Sequence, residues 1–325
     1  MKVPVIFSSF LATVLLLGGC GNTSSNEGEE PSDNQNDATT SGETRAFTAP
    51  NGEEINIPEN PERIVTDFYA GEFLAVGANV VGAGSWSFSN PFIEEELKNI
   101  KDVGDPIHTE EVLALEPDLI VVMDEEQYEK LSQIAPTVVI PYNTAKNVEE
   151  SLQLFGELAN AEAEAAQFLD SFNEEAEAAR ARVQEVVEDD ATFGIYELTD
   201  KGDFWVFNDN AGRGGQVIYN ALGLKALKAI DEEVIKTGEM KQLSTEVIPD
   251  YAADYMFITD YHPEGDSKLA EMESSPIWQG LDAVKNNRVF INDFDTFYPY
   301  DPISVRGQID LIADMIVERA ENNGQ

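Results

Sequence analysis

The fold is indicated by two stretches that share one pattern, residues 109–122 (TEEVLALEPDLIVV) and residues 245–258 (TEVIPDYAADYMFI). In each stretch a Thr-Glu pair opens a short helical segment, and an Asp eight residues after the Glu precedes an apolar run typical of a buried strand. Each copy therefore predicts a helix that leads into a strand. Because one copy lies in each half of the chain, we expect two equivalent lobes with Glu110 and Glu246 at matching positions.

Short apolar runs alternate with helical patterns on both sides of these stretches. After a predicted hairpin at 45–48 and 54–57, the expected strands are 64–67, 80–83, 119–123, 137–140, 192–198, 204–207, 255–259 and 288–292. The expected helices are 72–76, 91–98, 110–115, 126–134, 217–222, 245–251, 268–273 and 303–320. Such alternation predicts an α/β fold with mostly parallel sheets.

A long helical pattern separates the two sets of strands. It runs over 148–187, with a break expected near Asn160, and residues 161–187 contain neither Gly nor Pro. A helix over these last residues spans roughly 40 Å at 1.5 Å per residue, which suits a rigid connection between lobes. An ordinary surface helix is the alternative. The predicted organisation is an N-terminal lobe at 45–160, a connecting helix at 161–190 and a C-terminal lobe at 191–325.

The amino terminus has the pattern of an export signal. Lys2 precedes a mostly apolar segment that ends in Gly18-Gly19-Cys20, which resembles a bacterial lipoprotein signal with lipid attachment at Cys20. We therefore predict a signal peptide at 1–19, a flexible tether at 20–44 and a lipid-anchored protein on the extracytoplasmic face of the cell membrane. A plain secretory signal is the alternative.

Composition excludes several classes of protein. The chain has 62 acidic and 20 basic residues and a net charge of −42, so no basic surface is expected to bind nucleic acid or anionic lipid. One Cys excludes a disulfide framework, and His108 and His262 are too few for a zinc cage. The acidity suits a medium of concentrated salt or high pH.

Six motifs carry a resemblance to a known family. The chain resembles the periplasmic-binding family of iron-siderophore and vitamin B12 uptake in PERIV (61–65), GEFLAVG (71–77), LEPDLI (115–120), GRGG (212–215), LGL (222–224) and DPIS (301–304). The resemblance covers about residues 45–320. It implies two Rossmann-like lobes joined by one long helix, with ligand in the cleft between them. It also implies a monomeric substrate-binding lipoprotein that serves an ABC permease with a cytoplasmic ATPase.

Within this resemblance, Arg213 is the sharpest candidate for ligand binding. In the hydroxamate-siderophore branch of the family the Arg of the Gly-Arg-Gly-Gly motif contacts the ligand, and a guanidinium suits the oxygens around ferric iron. The chain departs from that branch with Ala211 in place of a Trp and Trp205 in place of a Tyr. Capping a helix or pairing with an acid is the alternative role for Arg213.

Aromatic residues in the loops after strands are the other candidates for a ligand-binding wall, because a wrapped ferric ion presents flat, partly apolar faces. Ordinary packing is the alternative for each of them. The candidates in these loops are Trp86, Phe297, Tyr298 and Tyr69, and the resemblance adds Trp205, which lies eight residues before Arg213 in the predicted strand 204–207. In the family, one Glu from each lobe docks onto Arg pockets of the permease, and Glu110 and Glu246 match those positions.

The sequence therefore predicts a binding protein for a ferric siderophore, either a hydroxamate or a citrate-hydroxamate. Ferric citrate, a ferric catecholate and cobalamin are alternative ligands, and a surface adhesion or structural module is a more distant alternative. A single strong candidate cation favours a ligand of low negative charge. We expect no cofactor, iron wrapped by the siderophore without a protein ligand, and no enzymatic activity, because neither a Ser elbow nor a reactive Cys is visible.

Overall fold

The computed structural model describes residues 42–262 and 267–323. The predicted signal peptide, Cys20 and the predicted tether as far as residue 41 lie outside these residues. Within the described ranges, no helix has both the length and the apolar composition needed to cross a membrane.

Thirteen strands form a hairpin and two larger sheets within the described residues. Their bounds are β1 Thr44–Thr48, β2 Glu54–Pro58, β3 Ile64–Thr66, β4 Val80–Ala83, β5 Lys101–Asp102, β6 Leu119–Val122, β7 Thr137–Val139, β8 Thr192–Thr199, β9 Phe204–Val206, β10 Lys225–Ala226, β11 Lys241–Leu243, β12 Tyr255–Tyr261 and β13 Val289–Asp293. All eight strands expected from the apolar runs are present, to within two residues at each end. The edge strands β5, β10 and β11 were not expected, because they are short and partly exposed.

The helices cover the faces of these sheets. The α-helices are α1 Ala70–Ala75, α2 Glu94–Leu97, α3 Thr109–Ala114, α4 Tyr128–Leu131, α5 Val148–Ala159, α6 Glu162–Gln184, α7 Lys228–Ile230, α8 Ile248–Tyr251, α9 Leu269–Glu273, α10 Pro276–Gly280, α11 Asp282–Lys285, α12 Phe294–Phe297 and α13 Pro302–Asn323. Residues Ser85–Ser89 and Thr245–Val247 form 3₁₀ turns, and Gln216–Ala221 and Asp231–Ile235 form π-helical turns.

The sheet of the N-terminal lobe (residues 42–159) has five parallel strands in the order β5-β4-β3-β6-β7. Strand order reverses at β3 and β6, and in open α/β sheets a ligand crevice lies beyond the carboxyl ends of the strands at such a point. The sheet of the C-terminal lobe (residues 191–323) has the order β11-β9-β8-β12-β13, with β10 also paired to β8. In it β8, β10, β12 and β13 are parallel, β9 runs antiparallel to β8, and β11 runs antiparallel to β9.

The two repeated stretches form the same substructure in both lobes. Asp118 accepts hydrogen bonds from the backbone N–H groups of Glu62 and Arg63 at 2.7 and 2.9 Å, just before β3. Asp254 accepts from the backbone N–H and the hydroxyl of Thr192 at 2.8 and 2.7 Å, at the start of β8. Each Asp therefore ties the beginning of one central strand to the strand that it precedes.

The helical segments of the two stretches differ in detail. Thr109–Ala114 is one α-helix, whereas the second copy is a 3₁₀ turn followed by α8. Pro249 lies in the first turn of α8, where its missing N–H costs no hydrogen bond. Glu110 and Glu246 each occupy the second position of their segment, and both are exposed.

The connecting helix begins where the sequence placed a break. Helix α5 is capped by Asn147, which accepts from the N–H of Glu150 at 2.9 Å, and it ends at Asn160 in the left-handed conformation with φ of 54°. Helix α6 then runs for 23 residues, about 35 Å at 1.5 Å per residue. In the sequence, the strands of one larger sheet precede α6 and those of the other follow it. The exact domain boundaries at 160/161 and 190/191 stay predictions.

Helix α6 packs along one narrow face, although its sequence is polar on average. The buried residues Ala165, Phe172, Ala176, Ala179 and Val183 recur every three, four or seven positions, as one face of a helix requires. They join the hydrophobic core of the C-terminal lobe together with residues of α13. Three small alanines on this face let the backbones approach closely.

Candidate ligand-binding cleft

The loops at the carboxyl ends of the parallel strands face one another across a cleft between the lobes. A cavity there encloses about 520 Å³, open solvent at its mouth included. Its lining comes from both lobes: Phe68, Gly71, Glu72, Trp86, Ser87, Ser89, Asn90 and Ile93 from the N-terminal lobe, and Phe294, Asp295, Tyr298, Pro299, Tyr300 and Asp301 from the C-terminal lobe.

Aromatic rings form a continuous chain across this cleft. The ring of Trp86 lies 6.1 Å from that of Tyr298, and Tyr300 lies 6.0 Å from Phe68 and 6.2 Å from Tyr142, all between centroids. Each of these three pairs joins one lobe to the other. Trp86 and Tyr142 remain 47% and 49% exposed, so large ring surfaces face solvent at the cleft. Exposed rings facing one another across a cleft suit a ligand with flat, apolar faces.

Arg213 lies within this aromatic surface. Its guanidinium carbon is 4.2 Å from the ring centroid of Phe207, 5.0 Å from that of Tyr298 and 5.7 Å from that of Phe294. These distances allow cation–π attraction to all three rings. The positive charge also acts on the opposite lobe: burial raises the pKa of Tyr142, and the Arg213 charge partly opposes this rise.

The glycines around Arg213 explain how the chain places it there. Gly212, Arg213 and Gly214 have φ values of 72°, 57° and 82°, a left-handed run that favours glycine. A Cβ at Gly212 would lie 2.2 Å from the carbonyl oxygen of Tyr298. The motif is therefore required by a close approach of two backbones, and this approach brings the Arg213 side chain against the Tyr298 ring.

The side chain of Glu197 in β8 holds the guanidinium in place. Its Oε2 accepts from Nε and Nη2 of Arg213 at 2.8 and 2.6 Å, and Nη1 of Arg213 donates to the carbonyl of Ala211 at 2.6 Å. Both partners are largely buried. Three of the five guanidinium N–H groups are used in this way, so two remain for a ligand. Arg213 can therefore pair with Glu197 and still donate hydrogen bonds to a ligand, so the two roles considered for it are compatible.

The other predicted wall residues fall into two groups. Trp86 and Tyr298 line the cavity, as described above. Trp205 lies in β9 directly opposite Glu197, and hence on the same face of the sheet as the Arg213–Glu197 pair, but it does not line the cavity. A ligand contact of Trp205 stays a prediction.

Tyr69 and Phe297 are placed in the core. Phe297 is 4% exposed and packs with the apolar residues of α13, because it is the inward-facing last residue of the short helix α12. Tyr69 is 6% exposed, its hydroxyl donates to the carbonyl of Ile140 at 2.5 Å, and its ring packs on Phe155. Both residues support the cleft from beneath, and neither provides the exposed wall that the sequence suggested.

Four rings that the sequence analysis did not select belong to the cleft: Phe68, Tyr142, Phe294 and Tyr300. Phe68 and Tyr142 follow β3 and β7 by two and three residues, so the position after a strand was the available signal. Glu197 gave no signal, because one acid within an apolar run does not reveal its buried partner.

Two carboxyl groups lie at the floor of the cavity. Glu72 is 5% exposed and Asp301 is 8% exposed. Burial, and secondly the neighbouring Asp301, raise the pKa of Glu72 well above its usual value. Burial also raises the pKa of Asp301, although hydrogen bonds from Ser304 and Asn90 partly oppose this. Asp67, which is half-buried just after β3, has its pKa raised to about 6, chiefly by partial burial.

Metal ligation has no support within the described residues, where no three His, Cys, Asp or Glu side chains are grouped so that they could hold an ion. His108 is the residue just before α3 and its side chain makes no capping hydrogen bond, whereas His262 lies beside Asp260, with 3.6 Å between Nδ1 and a carboxylate oxygen. The two imidazoles are on different lobes.

Comparison with known proteins gives consistent matches. A family model described as a periplasmic binding protein matches residues 64–296. The iron(3+)-hydroxamate-binding protein YxeB of Bacillus subtilis is 60% identical, and the match covers 99% of each chain. A Bacillus subtilis structure of the FhuD fold family, described as a component of a ferrichrome ABC transporter, superposes with a TM-score of 0.75 at 35% identity, covering 84% of this chain and 100% of that one. FhuD2 of Staphylococcus aureus with bound ferrioxamine B gives 0.70 at 25% identity, covering 80% and 100%.

The buried Glu72 predicts a dependence of stability on pH. Because its pKa is raised in the folded state, the protein loses stability as pH rises from about 4.5, the usual value, through the folded pKa. Glu72→Gln removes this loss, so its free energy of unfolding relative to wild type should increase with pH over that range. Denaturant titrations at several pH values, with exposed Asp295→Asn as the control, measure the difference. A constant offset between Glu72→Gln and wild type at all pH values would contradict the prediction.

Proposed function

Because the chain belongs to the periplasmic binding protein family, we propose that it is the extracytoplasmic substrate-binding component of an ABC importer. In this proposal it captures a ferric siderophore of the hydroxamate type in the cleft between its lobes. The single observation that carries the proposal is the position of Arg213, a fixed cation among aromatic rings of the C-terminal lobe, one of which, Tyr298, faces Trp86 of the other lobe, with two N–H groups left for a ligand.

The shape and chemistry of such a ligand match this surface. A ferric siderophore has iron at its centre, oxygen atoms around the iron and an organic exterior. The guanidinium can donate to the oxygens, and the exposed rings of Trp86 and Tyr142 can cover the organic faces. Relatives whose names specify iron hydroxamates, and one that was solved with ferrioxamine B, support the same class of ligand.

The charges around the cleft favour a hydroxamate over a catecholate. A ferric tris-hydroxamate centre is neutral, whereas a ferric tris-catecholate centre is strongly negative. Among the residues that line the cavity there are three acids, Glu72, Asp295 and Asp301, and no Lys or Arg. Burial disfavours the charged forms of Glu72 and Asp301, so a negative chelate would be repelled by the exposed Asp295 and by the net charge of −42, and no cation in the cavity lining would offset this repulsion. Citrate-hydroxamates, ferric citrate and cobalamin remain alternative ligands for a binding panel.

Iron enters this proposal as cargo, wrapped by the siderophore, and no protein atom is required to ligate it. Delivery requires a membrane permease and its ATPase, and for this step we propose Glu110 and Glu246 as docking residues. They are exposed, and each begins a segment whose Asp anchors the equivalent central strand of its lobe. A monomer that carries one acid at matching places on two lobes suits a two-fold symmetric partner.

Removal of the Arg213 cation should weaken ligand binding. We expect Arg213→Ala to lose about 1.5–3 kcal/mol, the range for a hydrogen bond to a charged group, which is about tenfold to a hundredfold in affinity. Quenching of Trp fluorescence by a panel of ferric hydroxamates, ferric citrate, a ferric catecholate and cobalamin gives the affinities. Arg182→Ala is the control, because Arg182 pairs with exposed acids of α13. Full affinity in a folded Arg213→Ala variant would refute this role.

Reversal of charge at the docking residues should separate capture from transport. The double variant Glu110→Arg with Glu246→Arg should bind siderophore normally and fail in uptake, because the new cations would face the cations expected on the permease. Each exposed contact contributes about 1 kcal/mol or less, so both are changed together. The control reverses Glu129 and Glu271, two exposed acids with the same change in net charge. Normal uptake of labelled iron by cells with the first variant, or its loss of siderophore affinity, would exclude a docking pair.

Anchoring through Cys20 can be tested directly. Two acyl chains give stable membrane attachment where one is marginal, so a diacylglycerol group on Cys20 would hold the protein at the membrane. Cys20→Ala should then appear in the medium or retain its signal peptide. An unmodified Cys20 in the mass spectrum of the mature wild-type protein would exclude the lipid anchor.

A further inference from the structure

The floor of the cleft contains a feature that chelate binding at Arg213 does not use. Glu72 of α1 and Asp301, just before α13, both line the same cavity, one from each lobe. A Cβ built on Gly71 would lie 2.3 Å from Cγ of Asp301, which shows how closely the two lobes approach at this point.

The two carboxyl groups differ in their partners. Asp301 accepts hydrogen bonds from the N–H of Ser304 at 3.0 Å, from the Ser304 hydroxyl at 2.5 Å and from Nδ2 of Asn90 at 3.0 Å. Glu72 is 5% exposed, and among the described residues no other side chain or backbone group donates a hydrogen bond or forms an ion pair with its carboxyl group; the backbone N–H of Glu72 itself is the one donor beside it. A buried carboxyl group without a partner is costly, and at a cavity it calls for a ligand that provides one.

The walls above Glu72 indicate the charge of that ligand. Phe68, Trp86, Tyr298 and Tyr300 line the cavity with aromatic rings. Faces of aromatic rings attract cations, and a carboxylate accepts the N–H groups of an ammonium. Burial, and secondly the neighbouring Asp301, raise the pKa of Glu72, and the opposite charge of a bound ammonium would favour its ionised form.

The two ends of the cleft differ in chemistry, with a cation at one end and two acids at the other. Tyr298 lies between its two ends: the Arg213 guanidinium is 5.0 Å from its ring, and its ring also lines the cavity that ends at Glu72 and Asp301. A ligand that matches both ends has oxygens at its centre and a positive group at the end of an arm.

We propose that this cavity is a subsite for the primary alkylammonium arm of a ferric hydroxamate siderophore, with Glu72 as its anionic acceptor. The methylene groups of the arm pack against the rings of Trp86 and Tyr298, and the oxygens around the iron remain at Arg213. The chain therefore prefers a cationic hydroxamate chelate to a neutral one of the same shape. This inference rests on the proposed siderophore function.

The test compares two ligands that differ only in the charge of the arm: ferrioxamine B, which has a free primary ammonium, and its N-acetylated derivative. Wild-type protein should bind ferrioxamine B at least about tenfold more tightly by calorimetric titration, a free-energy difference of about 1.4 kcal/mol. Glu72→Gln should reduce this ratio to within about twofold and leave the affinity for the acetylated ligand unchanged. Asp295→Asn removes the same charge from an exposed position of the same cavity and should keep the preference.

Each contrary outcome is distinguishable. Equal affinity of wild type for the two ligands would overturn the proposal, and an equal loss of affinity for both in Glu72→Gln would make Glu72 a packing residue only. If Asp295→Asn abolishes the preference as well, general attraction to an acidic protein explains it and the subsite is refuted.

A second measurement does not depend on siderophore binding. n-Pentylammonium alone should quench the emission of Trp86 in wild type, more strongly than n-pentanol, and should fail to do so in Glu72→Gln. The Trp86→Phe variant identifies the signal. If neither chelate binds while the ammonium does, the siderophore function is wrong and the cation subsite stands. If the chelates bind and the ammonium has no effect at any concentration that leaves the fold intact, the subsite is wrong.

Discussion

The cleft depends on one close contact between the lobes, where Asp301 lies against the backbone of Gly71. A side chain at position 71 would occupy the place of the Asp301 carboxyl group, because a Cβ there would lie 2.3 Å from Cγ. Asn90 strengthens the contact by donating to Asp301 and to the hydroxyl of Ser304, at 3.0 and 2.8 Å. This contact fixes the beginning of α13 against α1. It thereby buries Glu72 and sets the distance between the aromatic rings of the two lobes.

The ion pair of Arg213 and Glu197 gives the cleft its only fixed cation among the rings described here. A buried pair of this kind contributes little net stability, because the cost of removing both charges from water offsets their attraction. Its value here is orientation. The carboxylate uses two N–H groups on one edge of the guanidinium, and the plane of the guanidinium is held over Phe207 at 4.2 Å. The remaining donors are therefore available for a ligand without a rearrangement of the side chain.

Opposite charges at the two ends of one cleft restrict the ligands that it accepts. Arg213 suits oxygens that carry partial negative charge, and the floor of the cavity, lined by acids and by no Lys or Arg, offers nothing to offset the charge of a strongly negative chelate. The net charge of −42 acts in the same direction over longer distances, although salt screens it beyond about 10 Å. The aromatic rings between the two ends provide apolar area that is insensitive to ligand charge. Together these terms favour a neutral or cationic iron complex over a catecholate.

The sequence by itself determined the parts of this protein that depend on local pattern. Apolar runs predicted every strand of the two larger sheets except the short strands β5, β10 and β11, Asn160 marked the break before α6, and the equal spacing from Glu to Asp indicated two equivalent lobes. The Gly-Arg-Gly-Gly motif identified the cation. Its backbone is left-handed at three consecutive residues, which favours glycine, so the motif is visible in the sequence. Only the tertiary structure decided that Trp86 faces the cleft whereas Phe297 and Tyr69 are buried, and that Glu197 and Glu72 lie at the site. The reason is physical: the environment of a side chain after a strand depends on which distant segment packs against it, and contacts between lobes are not encoded in the spacing of neighbouring residues.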